Sequence, residues 1–289
     1  MLKWIVGAAC ALMSWCVLAL QPYTNGAKLA GGDLAAAVTA VEQKLNAAGF
    51  TTLGVHMAKG LPKQATVVVS DAGLSNAVKD LGGSAIVGLP IRVGVKADGT
   101  VSYQTLEYWE RAYLRKDYGK AEVAVKAAAA KLEQALGGGA AFGGDVKTED
   151  LANYRYMFGM ERFDSGNSLL KEYANFDDAI KAVHDNLAKG VKATAKVYEV
   201  VVPDKKIAVF GVAMNDPEYG EGWWVNKIGA DHVAALPWEV FVVNGKVYAL
   251  FGRFRTALAW PSLGMGQFMG ISIHPDRTRE MLEAVAGVQ

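Results

Sequence analysis

Cysteine is nearly missing from this chain of 289 residues: the two that occur, Cys10 and Cys16, both lie in the apolar N-terminal stretch. The rest of the chain therefore has no thiol for a disulfide, a thiolate metal site or a cysteine nucleophile. An excess of either charge is missing too. Thirty Lys and Arg against 29 Asp and Glu leave a formal net charge of +1. There is no long basic run, so the electrostatic footprint of a nucleic-acid-binding protein is absent. Histidine is scarce, with four residues. No His-Glu-x-x-His, Gly-x-Ser-x-Gly or Cys-x-x-Cys-His pattern occurs, which removes the zinc-protease, serine-hydrolase and covalent c-type haem signatures. Gly137–Gly144 is glycine-rich but lacks the Lys-Ser/Thr that makes a phosphate loop. Gly264-x-Gly266-x-x-x-Gly270 misses the dinucleotide spacing by one residue and opens no βαβ unit. What is present is a composition 52% hydrophobic and 20% charged. That supports a sizeable core and excludes a disordered chain.

At the N-terminus, Met1-Leu2-Lys3 precedes seventeen residues without a charge, Trp4–Leu20. Two readings stay open. A retained transmembrane anchor through residues 4–20 is at the short limit of what spans a bilayer. A cleaved signal peptide could use Val17-Leu18-Ala19 as its small-x-small site. Both leave Lys3 inside and export the bulk of the chain, and the anchor is the favoured expectation.

The most informative pattern is internal repetition. Asp33 is placed to cap a helix whose apolar stripe is Leu34, Val38, Val41 and Leu45; Asn175 is placed to cap another with Phe176, Ile180, Val183 and Leu187. The stripes match at a constant offset of 142 residues. Leu89-Pro90 recurs as Leu236-Pro237, and the Asp98-Gly99 turn recurs as Asn244-Gly245, the strongest short hairpin signal. Leu132-Glu133 before Gly137 recurs as Leu282-Glu283 before Gly287. The expected fold class is α+β: two tandem copies of an antiparallel sheet with helices on one face, a pseudo-dimer of β-α-β4-α type. The expected organisation is a hydrophobic helix in residues 1–21, a first repeat over 27–139, a flexible linker over 140–167 and a second repeat over 168–289. The second hairpin is expected to return as a strand over Lys246–Arg255, and Asn226–Val233 as a short helix.

GLPIRVGV in the first copy and ALPWEVFVVNGKVYALFGRFRTALAWPSLGMGQFM in the second, with the amphipathic helix and closing helix around them, resemble the bacterial domain family known as domain of unknown function three-hundred-two. The likeness covers both repeats. It implies a TATA-binding-protein-like β-α-β4-α fold and frequent dimer formation, and no activity, since the family carries no catalytic residues to transfer.

Candidate site residues cluster where the copies diverge. Arg253 and Arg255, two apart on the expected strand, would share a face and could clamp an anion, with Trp260 close by. The first copy has Glu107 and Trp109 at the aligned positions, which suggests an Arg253–Glu107 pair. Met265, Met269 and His274 are a soft-ligand set that suits copper or haem iron, with gap-filling methionines as the plainer alternative. Trp223-Trp224, next to Gly220 and Gly222, is expected on a loop, and with Tyr154 and Tyr156 in the linker it could serve as an interface anchor. His56 is expected to be structural, His184 solvated, and His232 a surface or capping residue. No catalytic residue and no cofactor is expected. The favoured function is a membrane-tethered, periplasm-facing, non-catalytic accessory or scaffold subunit of a membrane complex, energy-converting complexes included. Its partners would be the membrane, through residues 4–20, and other protein subunits, not nucleic acid. The alternative is a periplasmic binding protein for haem, copper or an anion, and the expected location is the bacterial cell envelope.

Overall fold

The computed structural model describes residues 18–288. The expected N-terminal hydrophobic helix falls almost wholly outside them. Its last residues are extended: Ala19–Leu20 form β1 and, after Pro22, Tyr23–Asn25 form β2. Among the described residues no helix is long and apolar enough to cross a membrane.

Asp33 caps α1 (Leu34–Ala47), its carboxylate accepting the Ala35 amide at 2.9 Å, and the stripe Val38, Val41 and Leu45 is buried. Two antiparallel strands follow, β3 (Thr51–His56) and the almost wholly buried β4 (Gln64–Ser70), then α2 (Ala72–Leu81) capped by Asp71. A 3-10 turn over Gly83–Gly88 leads through Leu89-Pro90 into the hairpin β5 (Ile91–Lys96) and β6 (Val101–Gln104), closed at Gly99 with φ +84°. Helices α3 (Leu106–Leu114) and α4 (Tyr118–Leu136) end this half, and β7 (Ala141–Phe142) and β8 (Val146–Lys147) follow.

The C-terminal half runs in the same succession. It comprises β9 (Leu169–Glu172), α5 (Phe176–Lys189), β10 (Thr194–Val202), β11 (Ile207–Met214), α6 (Glu221–Ile228), a 3-10 turn over Val233–Ala235, β12 (Trp238–Val243), β13 (Lys246–Ala249), α7 (Gly252–Ala259), α8 (Met265–Gly270) and α9 (His274–Val285). Asn175 caps α5 by accepting the Asp178 amide at 2.9 Å. Asn244, at φ +55°, makes the hairpin turn.

The architecture is mixed α+β with antiparallel sheets. One sheet has the order β3-β4-β5-β6-β2-β7 and the other β10-β11-β12-β13-β9. All neighbours in both sheets are antiparallel. Apart from the added β7, the two orders correspond strand for strand. The pairing slips at Leu53 in β3 and at Val197 in β10, and there the two sheets touch: a Cβ on Gly54 would lie 2.3 Å from the Val197 carbonyl oxygen. The 3-10 turns interlock the halves. Gly83–Gly88 packs on β11 and β12, while Val233–Ala235 packs on β4, β5 and β6. Gly94 makes room for the second turn, since a Cβ there would sit 2.6 Å from Val233.

Three expectations need correction. The strand expected over Lys246–Arg255 stops at Ala249, and Gly252–Ala259 is helical. Asn226–Val233 is not the helix: α6 starts at Glu221, so Trp223 and Trp224 sit on a helix rather than a loop. The 140–167 segment is built into the fold. Phe142 extends the first sheet against Tyr23, Val146 pairs with Leu20 of β1, and Leu151 and Phe163 are buried. Its glycines are used for shape, with Gly143 at φ +110° and Gly144 at φ +114°.

Candidate functional site

Two places in the molecule concentrate polar chemistry. The first is closed. Arg92 and Glu239 each stand three residues after the leucine of a Leu-Pro pair, on β5 and β12, and each points toward the other half. The Arg92 Nη2 donates to Glu239 Oε2 at 2.7 Å, to the Tyr198 hydroxyl at 3.2 Å, and the Nε donates to the Pro237 carbonyl at 3.1 Å. Arg255 of α7 donates from Nε to Glu239 Oε1 at 3.0 Å and from Nη2 to the Ala235 carbonyl at 2.8 Å. Its guanidinium lies 4.9 Å from the centre of the Trp109 ring. The Tyr113 hydroxyl donates to Glu239 at 3.3 Å. None of the three charged side chains is more than 1% exposed.

Burial works against the charge of Arg255, but Glu239 and neighbouring tyrosines hold its pKa above the ordinary arginine value. Among the described residues, the Nη1 atoms of both arginines and the Trp238 indole nitrogen have no partner. Glu110 lies nearby against Gly88, and burial pushes its carboxyl well above the carboxylate range, with Arg92 opposing. Guanidinium groups do not exchange protons at neutral pH, so Arg92 and Arg255 stay charged and tie the two halves together through Glu239.

The second place is open. The 145–168 segment runs along a groove in which two clefts meet, of about 430 Å³ and about 570 Å³, sharing Asn153, Tyr154 and Arg162. The smaller cleft is lined by Arg115, Lys116 and Arg162 over Phe163 and Phe254. The larger is walled on one side by β8, the strand that receives β1, and on the other by Met157 and Phe158. Phe158 is 89% exposed. Tyr156 stacks on Phe268 of α8 at 5.8 Å and donates its hydroxyl to the Leu263 carbonyl, so the segment carrying Phe158 is fixed beside α8, whose Met265 and Met269 are also exposed.

The expected site residues do not assemble as the sequence suggested. Two positions apart on a helix means opposite faces: Arg255 is in the core, while Arg253 is partly exposed and forks Glu161 at 2.6 and 3.0 Å. The expected Arg253–Glu107 pair is replaced, because Glu107 binds Arg111 one turn along its own helix. Trp260 is buried, donating to the Gly229 carbonyl at 3.1 Å. His274 does not join Met265 and Met269. Its ring is fully buried, 4.3 Å from Trp224, and each nitrogen is committed to a threonine hydroxyl, Thr256 and Thr278, both at 3.0 Å. No lone pair of that ring is left for copper or haem iron. Burial pushes its pKa down to about 3.

Trp224 packs in the core against Trp238 and Trp260, whereas Trp223 remains partly exposed with Lys227 over its ring. Tyr154 donates to the Ala257 carbonyl at 2.9 Å, so both linker tyrosines anchor the chain to itself. His232, expected at the surface, is wedged among Tyr23, Phe142 and Trp260, and burial pushes its pKa down to about 4. His56 is structural, bonded to the buried Glu221 at 2.8 Å. His184 is partly solvated and bonded to Glu199.

Arg92, Glu239 and Arg115 escaped notice in the sequence. For the first two a signal was there: a charge at the second position of an otherwise largely apolar strand, at one offset from Leu-Pro in both halves. For Arg115 there was none, since Arg115-Lys116-Asp117 reads as a solvated helix face. No family model, no curated protein and no solved structure matches the chain.

Proposed function

We propose that the protein is a membrane-tethered, non-catalytic accessory subunit facing the periplasm, docking on a membrane complex through the face built from residues 145–158 and α8. One observation carries this reading. The uncharged run Trp4–Leu20 ends in β1, and β1 pairs with β8 on the rim of the cleft that also bears Met157 and the exposed Phe158. With Leu18–Leu20 taken into the fold, the uncharged residues 4–17 are what is left for the membrane, fewer than a full helical span needs; a tether there would still hold this apolar face close to the lipid surface, where membrane subunits present their own exposed flanks. Methionine-rich faces adapt to partner surfaces, and a projecting aromatic side chain is a usual anchor of such contacts.

In the same proposal the chain is a tandem duplication that has turned a dimer into one polypeptide, with the family likeness described above. The matching strand orders, the paired caps Asp33 and Asn175, the pairing slips at Leu53 and Val197, and the Leu-Pro-led strands that place Arg92 opposite Glu239 support it.

The test is fractionation and gentle solubilisation of membranes from cells making the full chain. The chain should stay in the membrane fraction after a salt wash and co-purify with integral subunits. Phe158→Asp combined with Met269→Asp should lose the subunits but keep the membrane association. Recovery of a lone, freely soluble chain after mild washing would overturn the reading.

A further inference from the structure

We infer that the smaller cleft is a binding site for a phosphate-bearing small molecule with an apolar stem, with Arg115 as the oxyanion fork. Arg115 ends α3 with φ +54°. At φ +54° and ψ −124° a non-glycine residue carries roughly 1–3 kcal/mol of strain, and glycine or asparagine would sit there more cheaply. An arginine kept in a strained turn points to a use for its side chain.

That side chain is preorganised. Its guanidinium lies 4.7 Å from the centre of the Phe163 ring, and Nη1 donates to Asp164 at 2.8 Å. Its Nε is buried and has no partner among the described residues. Lys116 and Arg162 line the same cleft, and neither has a carboxylate within ion-pair distance among the described residues. Three cations thus face one carboxylate, Asp164, which holds Arg115 in place without neutralising the cleft. Planar guanidinium forks match phosphate oxygens, and a lysine adds a compact point charge. The cleft floor is apolar, formed by Phe163 and Phe254, with the Asn153 amide at its edge. Its volume of about 430 Å³ suits a compact metabolite.

The same chemistry has two sources. A free phosphomonoester would enter from solvent. A phosphodiester headgroup would enter from the lipid side through the adjoining cleft, which shares Asn153, Tyr154 and Arg162. The inference does not rest on the membrane reading, because the cleft is complete without the N-terminal run.

Titration calorimetry on the full chain in neutral detergent, at low salt, tests it. Three probes are used: inorganic phosphate, phenyl phosphate, and glycerophosphoglycerol as a headgroup without its chains. Saturable binding is expected, tighter by tenfold or more for phenyl phosphate than for inorganic phosphate, and weakened severalfold by raised salt. Arg115→Asn, which keeps a residue tolerant of the left-handed backbone, and Arg162→Gln, whose side chain has no carboxylate partner, should each weaken binding tenfold or more without lowering the unfolding midpoint. Preference for phenyl phosphate assigns a free metabolite; preference for glycerophosphoglycerol assigns a lipid headgroup; both support the site. Absence of saturable binding by any probe, or affinities unchanged in both variants, overturns it.

Discussion

Removing the charge of Glu239 is the sharpest perturbation the structure offers. This one carboxylate stands between two guanidiniums, with contacts of 2.7 Å to Arg92 and 3.0 Å to Arg255, all three groups at most 1% exposed. At an effective dielectric of about 20, each such pair at 4 Å is worth about 4 kcal/mol in Coulomb energy. The Glu239→Gln variant keeps the shape and leaves two buried cations facing each other. Relaxation and water entry reduce the loss to about 3–5 kcal/mol. That is a large part of the roughly 5–15 kcal/mol that holds a typical domain folded. Urea unfolding followed by tryptophan fluorescence reads it as a fall in midpoint at unchanged slope. Replacing the whole cluster (Arg92→Met, Glu239→Leu, Arg255→Met) should return most of the stability, because an apolar triad has no charges to desolvate. A loss below about 1 kcal/mol for Glu239→Gln would refute the buried tie. So would a triple variant that stays as unstable as the single one.

Three further outcomes are expected. His274 and His232 have folded pKa values lowered by burial to about 3 and about 4 from an ordinary 6.5. The stability they confer is therefore complete above pH 6.5 and is lost as pH falls below it, at about 1.4 kcal/mol per unit for each group. His274→Asn should flatten the urea midpoint between pH 6.5 and 4, and an unchanged slope would sink the argument. Glu110 has the opposite sign: its carboxyl is raised by burial, so its contribution is complete below the ordinary 4.5 and declines as pH rises. The stability advantage of Glu110→Gln should accordingly grow as pH rises above 4.5, by at most about 1.4 kcal/mol per pH unit, as measured by urea titrations. Gly54→Ala, which drives a methyl into the Val197 carbonyl at 2.3 Å, should cost about 1–3 kcal/mol, seen as a lower urea midpoint.

The helices and hairpins were legible because local rules govern them. Asp33 and Asn175 cap as expected, the stripes of α1 and α5 are buried, and both hairpin turns fall where Gly99 and Asn244 put them. What local rules do not carry was missed. A Gly-Arg-Phe-Arg run after a strand reads as more strand until the core that receives Arg255 is known. Likewise, nothing within residues 140–167 reveals that β1 and β2 offer open edges for them to join. The cleft around Arg115 is made of three segments far apart in sequence, so no spacing could announce it.

The reciprocal packing of the two 3-10 turns sets a timetable for synthesis. Arg92 and Glu239 are 147 residues apart, so at ~5–20 residues per second the first waits about 7–30 s for its counterion. Throughout that interval the first sheet lacks the turn that covers β4, β5 and β6, and its inner face is bare. Its folding is therefore completed only after residues 233–239 have been made, by contacts of very long sequence separation, which form slowly.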